Sequence, residues 1–124
     1  MTDMDTKLYN LENLKNSVDS DADIPVFIQD FISNTLGKDL TELHRSFVQN
    51  KKHQTHQMAH KLKFSLDMYG VHSIQRDLKK IEAFCTSSEN FAQIGPLIKN
   101  IKKHLRQVKD QMIDDYKMVI TLID

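Results

Sequence analysis

The sequence predicts an all-α protein, an antiparallel up-down four-helix bundle with a short extra helix at its N-terminus. Apolar residues recur at spacings of three and four, and no stretch alternates as a strand would. The chain also has only 3 Gly and 2 Pro, too few for the many turns of a sandwich or barrel. Because 124 residues are the length of one domain, we expect a single domain over residues 1–124 with a core from about residue 8 to 118.

The first two helices are predicted on either side of a polar break. Residues 8–18 have the pattern of a short amphipathic helix. After the break, Asp23 is the expected N-cap, and Pro25 falls in the first turn, where its missing N–H is harmless. Apolar spacing over residues 24–47 then predicts one long helix, in which Gly37 is a tolerated weak point.

Three further helices follow. A turn at residues 50–52 precedes a helix over about 53–69, which Gly70 ends as a C′ residue. The next helix is marked by the apolar stripe Val71, Ile74, Leu78, Ile81 and Cys85. A loop over residues 86–90 leads to Gly95-Pro96, which opens the last helix. Its stripe consists of Leu97, Ile98, Ile101, Leu105, Val108, Met112 and Tyr116.

The charges balance overall but are unevenly distributed. Residues 1–50 contain nine acidic and four basic residues, and residues 51–124 contain eight acidic and thirteen basic residues. Residues 51–80 alone hold seven Lys or Arg and four of the six histidines. This stretch is therefore either a site or a solvated helix face, and composition does not decide between them.

Composition excludes several classes of protein. No apolar run approaches the ~20 residues needed to cross a bilayer, so we expect no membrane span. The polar, acidic first six residues predict no secretory signal, and a cytoplasmic location follows as the default. A single cysteine, Cys85, excludes an internal disulfide, and its place on an apolar stripe predicts an inert thiol. A pI near 7.0 without exposed aromatic platforms argues against nucleic-acid binding.

The helix over residues 53–69 carries the most informative pattern. At ~100° per residue, one side holds the apolar residues Met58, Leu62, Leu66 and Tyr69. His60 lies opposite them, so it is expected to project into solvent, with Lys63 one turn later and Phe64 beside it. An exposed imidazole is partly neutral and nucleophilic near pH 7, since the ordinary pKa of histidine is about 6.5. A cation one turn away can neutralise an incoming anion.

From Ala59 to Gly70 the chain reads AHKLKFSLDMYG, and this segment resembles the signature of histidine-containing phosphotransfer (HPt) domains. That signature runs roughly A-H-x-L-K-G-S/A, with a glycine closing the helix. The residues that match in register are Ala59, His60, Leu62, Lys63, Ser65 and Gly70. With the helices before and after it, the resemblance covers about residues 8–118.

The resemblance implies a phosphorelay intermediate of two-component signalling rather than an enzyme with kinase activity of its own. His60 would accept a phosphoryl group from an aspartyl-phosphate of one receiver domain and pass it to an aspartate of another. The partners implied are receiver domains of hybrid histidine kinases and of response regulators. Such a protein needs no cofactor or metal of its own, because the receiver supplies Mg²⁺. We expect a monomer.

The resemblance also implies roles for neighbouring residues. Lys63 would support the phosphoryl charge, although it could instead be a solvated lysine paired with Asp67. Glu82 flanks the core on the following helix, and the family often has a Glu or Gln there that accepts a hydrogen bond from the histidine Nδ1. Glu82 could also simply pair with a nearby lysine, and Gln75 lies on the same flank as an alternative acceptor.

The expected docking surface consists of His56, Phe64 and Asp67. Phe64 departs from the family, which prefers glycine after the lysine. It could narrow the range of partners, add an apolar anchor or block transfer, or it could fold against a neighbouring helix. Phe64 is also the one feature that favours a second reading, an HPt-like adaptor that binds receivers or kinases without transferring phosphate.

Other classes of site find less support. His53, His56 and His60 share a face and could hold a transition metal, but no carboxylate or thiol is placed to complete four ligands, so no metal site is predicted. No Ser/His or Cys/His pairing signal or glycine-rich oxyanion loop accompanies them. Ser65 is expected to point inward as a small packing residue, and the methionines are expected to fill the core.

Overall fold

The computed structural model describes residues 7–86 and 90–116, in which all regular structure is helical. Within these ranges the α-helices are α1 (Glu12–Ser17), α2 (Ile24–Asp30), α3 (Leu40–Val48), α4 (Lys52–Met68), α5 (Gln75–Phe84) and α6 (Ile94–Asp115). A π-helical segment, Phe31–Asp39, joins α2 to α3, and short 3₁₀ turns precede α2 and α6. The predicted all-α class is confirmed for this part of the chain. No helix in it is both long and apolar enough to cross a membrane.

The helices enclose one apolar core. α3 packs on α4, α4 on α5, α5 on α6, and α6 on α3. The largest fully buried side chains are Phe31, Ile28, Leu43, Leu62, Leu66, Ile74, Leu78, Ile81, Ile94, Ile101, Leu105 and Met112. Burying a Leu or Ile side chain contributes about 1.5–3 kcal/mol, so burial of this set strongly favours folding. The predicted stripes of the last two helices are confirmed, except that Leu97 and Tyr116 are only half-buried.

The long helix predicted over residues 24–47 is continuous but not uniformly α-helical. Its middle, Phe31–Asp39, adopts π-helical turns and includes Gly37. At its end the Leu40 N–H bonds to the Thr35 carbonyl, an i→i+5 hydrogen bond of the π-helical kind. The one long helix predicted here is therefore present, with a middle that is π-helical rather than α-helical.

Asp23 occupies the N-cap position of α2, as predicted, but it does not cap the helix with its side chain. Instead, a 3₁₀ turn over Asp21–Asp23 begins earlier, and the Ser20 hydroxyl accepts a hydrogen bond from the Ala22 N–H at 3.1 Å. The short polar side chain that satisfies the free N–H therefore lies upstream of the predicted one.

Residues 8–10, before α1, are not helical, whereas the sequence predicts a helix over residues 8–18. We refer to residues 8–10 as the strap. Its polar groups bond to distant parts of the fold: the Leu8 N–H to the Gln111 side chain at 2.7 Å, and the Tyr9 hydroxyl to the Asp115 carboxylate. The Asn10 N–H donates to the Tyr69 carbonyl at 3.2 Å. Because tertiary partners take these groups, helix α1 begins only at Glu12.

α4 is followed by a turn at Gly70. Gly70 has φ +69°, the left-handed conformation of a C′ residue, as predicted. The Gly70 N–H donates to the Asp67 carbonyl at 3.0 Å, and the Val71 N–H donates to the Leu66 carbonyl at 2.9 Å. A Cβ at Gly70 would lie 2.1 Å from the Asn10 carbonyl oxygen, so the strap crosses directly over this glycine.

The loop predicted over residues 86–90 is described only in part. Residues 87–89 lie outside the described residues. On the far side of them, a 3₁₀ turn at Phe91–Gln93 leads into α6 at Ile94, one residue before the predicted Gly95-Pro96 opening.

Candidate functional site

His60 lies in the middle of α4 with its ring in solvent. Ala59, Leu62 and Leu66 on the opposite side of the helix are 0% exposed, whereas the His60 side chain is 53% exposed. The predicted exposure of His60 is therefore confirmed. α4 places the ring because its buried face is anchored in the core, which leaves the opposite face to point outward.

Glu82 on α5 is the hydrogen-bond partner of this histidine. Its Oε2 lies 2.8 Å from His60 Nδ1, and its side chain is only 14% exposed. Burial by itself would raise the pKa of Glu82, but hydrogen bonds from Lys63 and His60 outweigh it and lower the pKa. The carboxylate is therefore ionised at neutral pH and has no proton to donate. Nδ1 must be the donor, which leaves the Nε2 lone pair of a neutral ring free.

Lys63 joins the same cluster from one turn further along α4. Its Nζ lies 2.6 Å from Oε1 of Glu82, and its side chain is 22% exposed. The alternative that Lys63 is a solvated lysine paired with Asp67 is therefore not what the structure contains. Glu82 bridges the two residues, with one carboxylate oxygen toward His60 and the other toward Lys63. The carboxylate lies between two α4 side chains and links α4 to α5.

Gln75, the alternative acceptor, is not in contact with the imidazole. Its amide donates to the carbonyls of Lys63 at 3.2 Å and Val71 at 3.3 Å. These bonds hold the start of α5 against α4. Glu82 is therefore the hydrogen-bond acceptor beside His60. Gln75 instead links the start of α5 to the backbone of α4.

Phe64 stands beside His60 on the solvent side. Its side chain is 66% exposed, so it does not fold against a neighbouring helix. The rings of Phe64 and His60 meet edge to face, with centroids 4.9 Å apart and planes at 82°. An exposed aromatic ring in contact with an exposed imidazole forms a surface that is part apolar and part basic.

Met68 extends this surface and was missed by the sequence analysis, which expected the methionines in the core. It is 40% exposed. With Phe64 and Asn13 of α1 it lines a shallow hollow of about 380 Å³. The signal was present, because Met68 lies only ~40° from Phe64 around the helix.

The other two predicted docking residues also lie on α4. His56, one turn before His60, is half-buried. Asp67 is exposed, and its Oδ1 lies 3.6 Å from His72 Nδ1, with both side chains more than 60% exposed. Ser65 is half-buried rather than buried. The structure thus arranges His56, His60, Phe64 and Asp67 along one side of α4.

Two other sets of residues bear on the chemistry of the site. Among residues 7–86 and 90–116, no three His, Cys, Asp or Glu side chains come together as ligands of a metal ion would. His53 and His56 therefore do not form such a group with His60. Cys85 is buried, and burial together with the charge of Glu82 raises the pKa of its thiol to about 11, so little thiolate forms near neutral pH.

The comparisons with known proteins identify no relative: the chain matches no family model, no curated protein and no solved structure. What the site can do therefore follows from its own geometry. It combines an exposed imidazole nitrogen, a carboxylate that orients the ring and an ammonium group on the same carboxylate. The exposed imidazole nitrogen of such a site can attack an electrophilic centre that approaches from solvent. The carboxylate can then stabilise the positive charge that the ring acquires.

Proposed function

We propose that this protein is a phosphocarrier of the HPt type, in which His60 accepts a phosphoryl group from a receiver-domain aspartyl-phosphate and passes it to another receiver aspartate. The contact between His60 Nδ1 and Glu82 is the observation that carries the proposal. It leaves Nε2 as the nucleophile of an imidazole that is open to a partner protein. The segment AHKLKFS around His60, with its resemblance to HPt domains, supports the same reading.

The transfer step needs only the imidazole of His60, the carboxylate of Glu82 and the aspartyl-phosphate of the receiver. The Nε2 lone pair attacks phosphorus in line, the N–P bond forms, and the bond between phosphorus and the aspartyl oxygen breaks. The electron pair of that bond leaves with the receiver carboxylate. The imidazole keeps its proton on Nδ1 and becomes positively charged, and Glu82 stabilises this charge through the existing hydrogen bond. The second transfer is the reverse reaction with another aspartate.

Lys63 supplies charge in this proposal. A phosphoryl group on Nε2 brings negative charge to a place one helical turn from Lys63. In the free protein the Lys63 ammonium already lies on Glu82, which holds it near the ring. No resident cofactor is required, because Mg²⁺ comes with the acidic pocket of the receiver.

The proposal extends to fold and setting. We take the ring of contacts among α3, α4, α5 and α6 as an antiparallel up-down four-helix bundle, with α1 as the extra N-terminal helix. The basic surplus of residues 51–80 suits an acidic receiver pocket. The proposed partners are receiver domains of hybrid kinases and response regulators. We propose that the protein binds them as a monomer in the cytoplasm.

The test is phosphoryl transfer from phosphorylated receiver domains of the same organism to the wild-type chain and to His60→Ala. We expect acid-labile, base-stable label on the wild type and none on the variant. His53→Ala, which removes an exposed histidine of the same helix, is the matched control and should be labelled like the wild type. Label that persists in His60→Ala would refute the assignment and point to His56.

A second candidate is an adaptor that binds receivers or kinases without transfer, and the exposed Phe64 ring against His60 favours it. An aromatic ring at this place can fill a pocket on a partner while it restricts access to Nε2. An adaptor predicts receiver binding that survives His60→Ala, with no label transferred from any receiver to the wild type. The phosphocarrier predicts label on the wild type.

A further inference from the structure

A row of cations on α6 takes no part in the proposed phosphotransfer site. From Ile94 to Lys109, α6 contains five Lys or Arg and no Asp or Glu. These residues are Lys99, Lys102, Lys103, Arg106 and Lys109. At ~100° and ~1.5 Å per residue, they fall within about 120° of one face and extend over about 15 Å. We refer to them as the α6 basic row.

Among residues 7–86 and 90–116, no carboxylate pairs with the α6 basic row. None of its five side chains lies within 4.0 Å of a carboxylate in the described part of the chain. Lys102 Nζ instead lies 3.1 Å from Nδ1 of His44 on α3. Nearby carboxylates are engaged elsewhere: Glu42 bonds Arg45 at 2.8 Å, and Asp39 bonds Lys61 at 3.2 Å.

Asp110 directly follows Lys109, the last residue of the row, in the chain. It does not pair with Arg106, one turn before it. Excess positive charge therefore remains along this face of α6.

Two hollows lie between this row and the helices facing it. The first, of about 210 Å³, is lined by Leu36, Leu40 and Leu105 and by three of the cations, among them Lys102. The second, of about 310 Å³, is lined by Phe47, Gly95 and Ile98 with His44, Lys99 and Lys102. Lys102 borders both hollows, so they are adjacent, and we refer to the two together as the groove. Leu40 and Leu105 are buried and Arg106 is exposed, which makes the floor of the groove apolar and its edge cationic.

This groove is separate from the His60 site. It runs between α6 and the segment from the π-helix through α3, whereas His60 and Glu82 lie on α4 and α5. In the ring of packed helices α6 contacts α5 and α3, and α4 lies across from it. A partner seated in the groove would therefore leave His60 accessible.

We propose that this groove docks an acidic amphipathic helix of a partner protein. Glu or Asp side chains along one flank of that helix would pair with the α6 basic row, and its apolar side chains would enter the two hollows. Three turns of helix match the length of the row. A nucleic-acid backbone offers phosphates but no apolar side chains, so it would leave both hollows unfilled. The partner binds as a helix in a groove, and pairing of its acidic flank with the α6 basic row determines its orientation.

Fluorescence anisotropy with the full chain tests this proposal. The probe is a labelled, helix-forming synthetic peptide of about 14 residues with Leu at i, i+3 and i+7 and Glu on the flank. A second peptide replaces each Leu by Ser and keeps every charge. We expect the Leu peptide to bind at least about tenfold more tightly, because only it fills the hollows.

Protein variants distinguish the effect of the α6 basic row from the effect of positive charge elsewhere on the protein. Lys102→Gln combined with Arg106→Gln should weaken binding of the Leu peptide about tenfold. Lys15→Gln combined with Lys51→Gln removes the same charge from exposed positions outside the groove and should change binding by less than about twofold. Far-UV circular dichroism and thermal melts verify that both variants remain folded. Amide shifts on adding the peptide should map to α3 and α6 and leave His60 unchanged.

Several results would overturn the proposal. Equal binding of the Leu and Ser peptides would show that the hollows take no part. Tighter binding of a DNA duplex or of vesicles with anionic lipid would assign the row to another polyanion. Self-association of the wild type that disappears in the Lys102/Arg106 double variant would make a second copy the occupant. Each of these is independent of phosphotransfer by His60.

Discussion

Glu82 on α5 places its Oε2 2.8 Å from Nδ1 of His60 on α4, 22 positions earlier in the chain. The pair joins two helices across the surface, and the ionised carboxylate assigns the imidazole proton to Nδ1. Because the free lone pair is then on Nε2, the pair determines which nitrogen of His60 can act as a nucleophile.

Replacing Glu82 by Ala should remove the acceptor that holds the imidazole proton of His60 on Nδ1. In the wild type, ¹⁵N-detected NMR should find the proton on Nδ1, whereas Glu82→Ala should give a mixture of the two tautomers. Phosphoryl transfer should fall about 10- to 100-fold, as for other carboxylates that orient a histidine. The control is Asp77→Asn on the same helix, whose carboxylate bonds Asn100 at 2.7 Å. An unchanged tautomer in Glu82→Ala would contradict the assignment.

Replacing Lys63 by Gln should reduce stability in a pH-dependent way. Lys63 helps to lower the pKa of Glu82 in the folded state, so its contribution is present above the ordinary glutamate value of 4.5 and is lost as the pH falls through the folded value. We expect a loss of about 1 kcal/mol at pH 7 that shrinks toward about pH 3. Urea unfolding across this range measures it.

Lys61→Gln is the matched control for that series. Its partner Asp39 lies 3.2 Å away, but the Lys61 side chain is 60% exposed, so removing this pair should change stability by less than about 0.5 kcal/mol. If Lys63→Gln lost no more stability than Lys61→Gln at pH 7, the link from Lys63 to Glu82 would be energetically unimportant.

Replacing Phe64 by Ala should affect partner binding more than folding. The ring is 66% exposed, so the free energy of unfolding should change by less than about 0.5 kcal/mol. In the proposed complex the ring is an apolar anchor, and receiver affinity should fall about 5- to 30-fold by calorimetry. Val48→Ala on α3 removes an equally exposed apolar side chain and should leave affinity unchanged. Faster transfer at unchanged affinity would mean that Phe64 obstructs His60.

Replacing Gly70 by Ala should destabilise the fold by at least about 2 kcal/mol. Gly70 has φ +69°, and an added Cβ would lie 2.1 Å from the Asn10 carbonyl oxygen. Gly37→Ala is the contrasting substitution, because its Cβ would meet only the Ile32 carbonyl oxygen at 3.4 Å. Thermal or urea unfolding should rank the two variants clearly. Equal stability of Gly70→Ala and the wild type would refute the strap contact.

Helical class, buried faces and the exposure of His60 followed from the sequence alone. Side chains three and four apart share a helix face, so apolar spacing is enough to sort residues such as Leu62 and His60 to opposite sides. The ending of α4 at Gly70 followed as well, because a left-handed C′ position selects glycine. These features depend on local geometry, which the sequence carries directly.

Only the tertiary structure decided which residues pair with each other across the fold. The strap over residues 8–10 is non-helical because α6 and the end of α4 take its hydrogen bonds. Lys63 contacts Glu82 rather than Asp67 because packing of α5 on α4 brings the more buried carboxylate within reach. The groove beside α6 exists only where that helix meets α3. Contacts between residues far apart in the chain depend on how the helices pack, and helical periodicity along one segment does not contain that information.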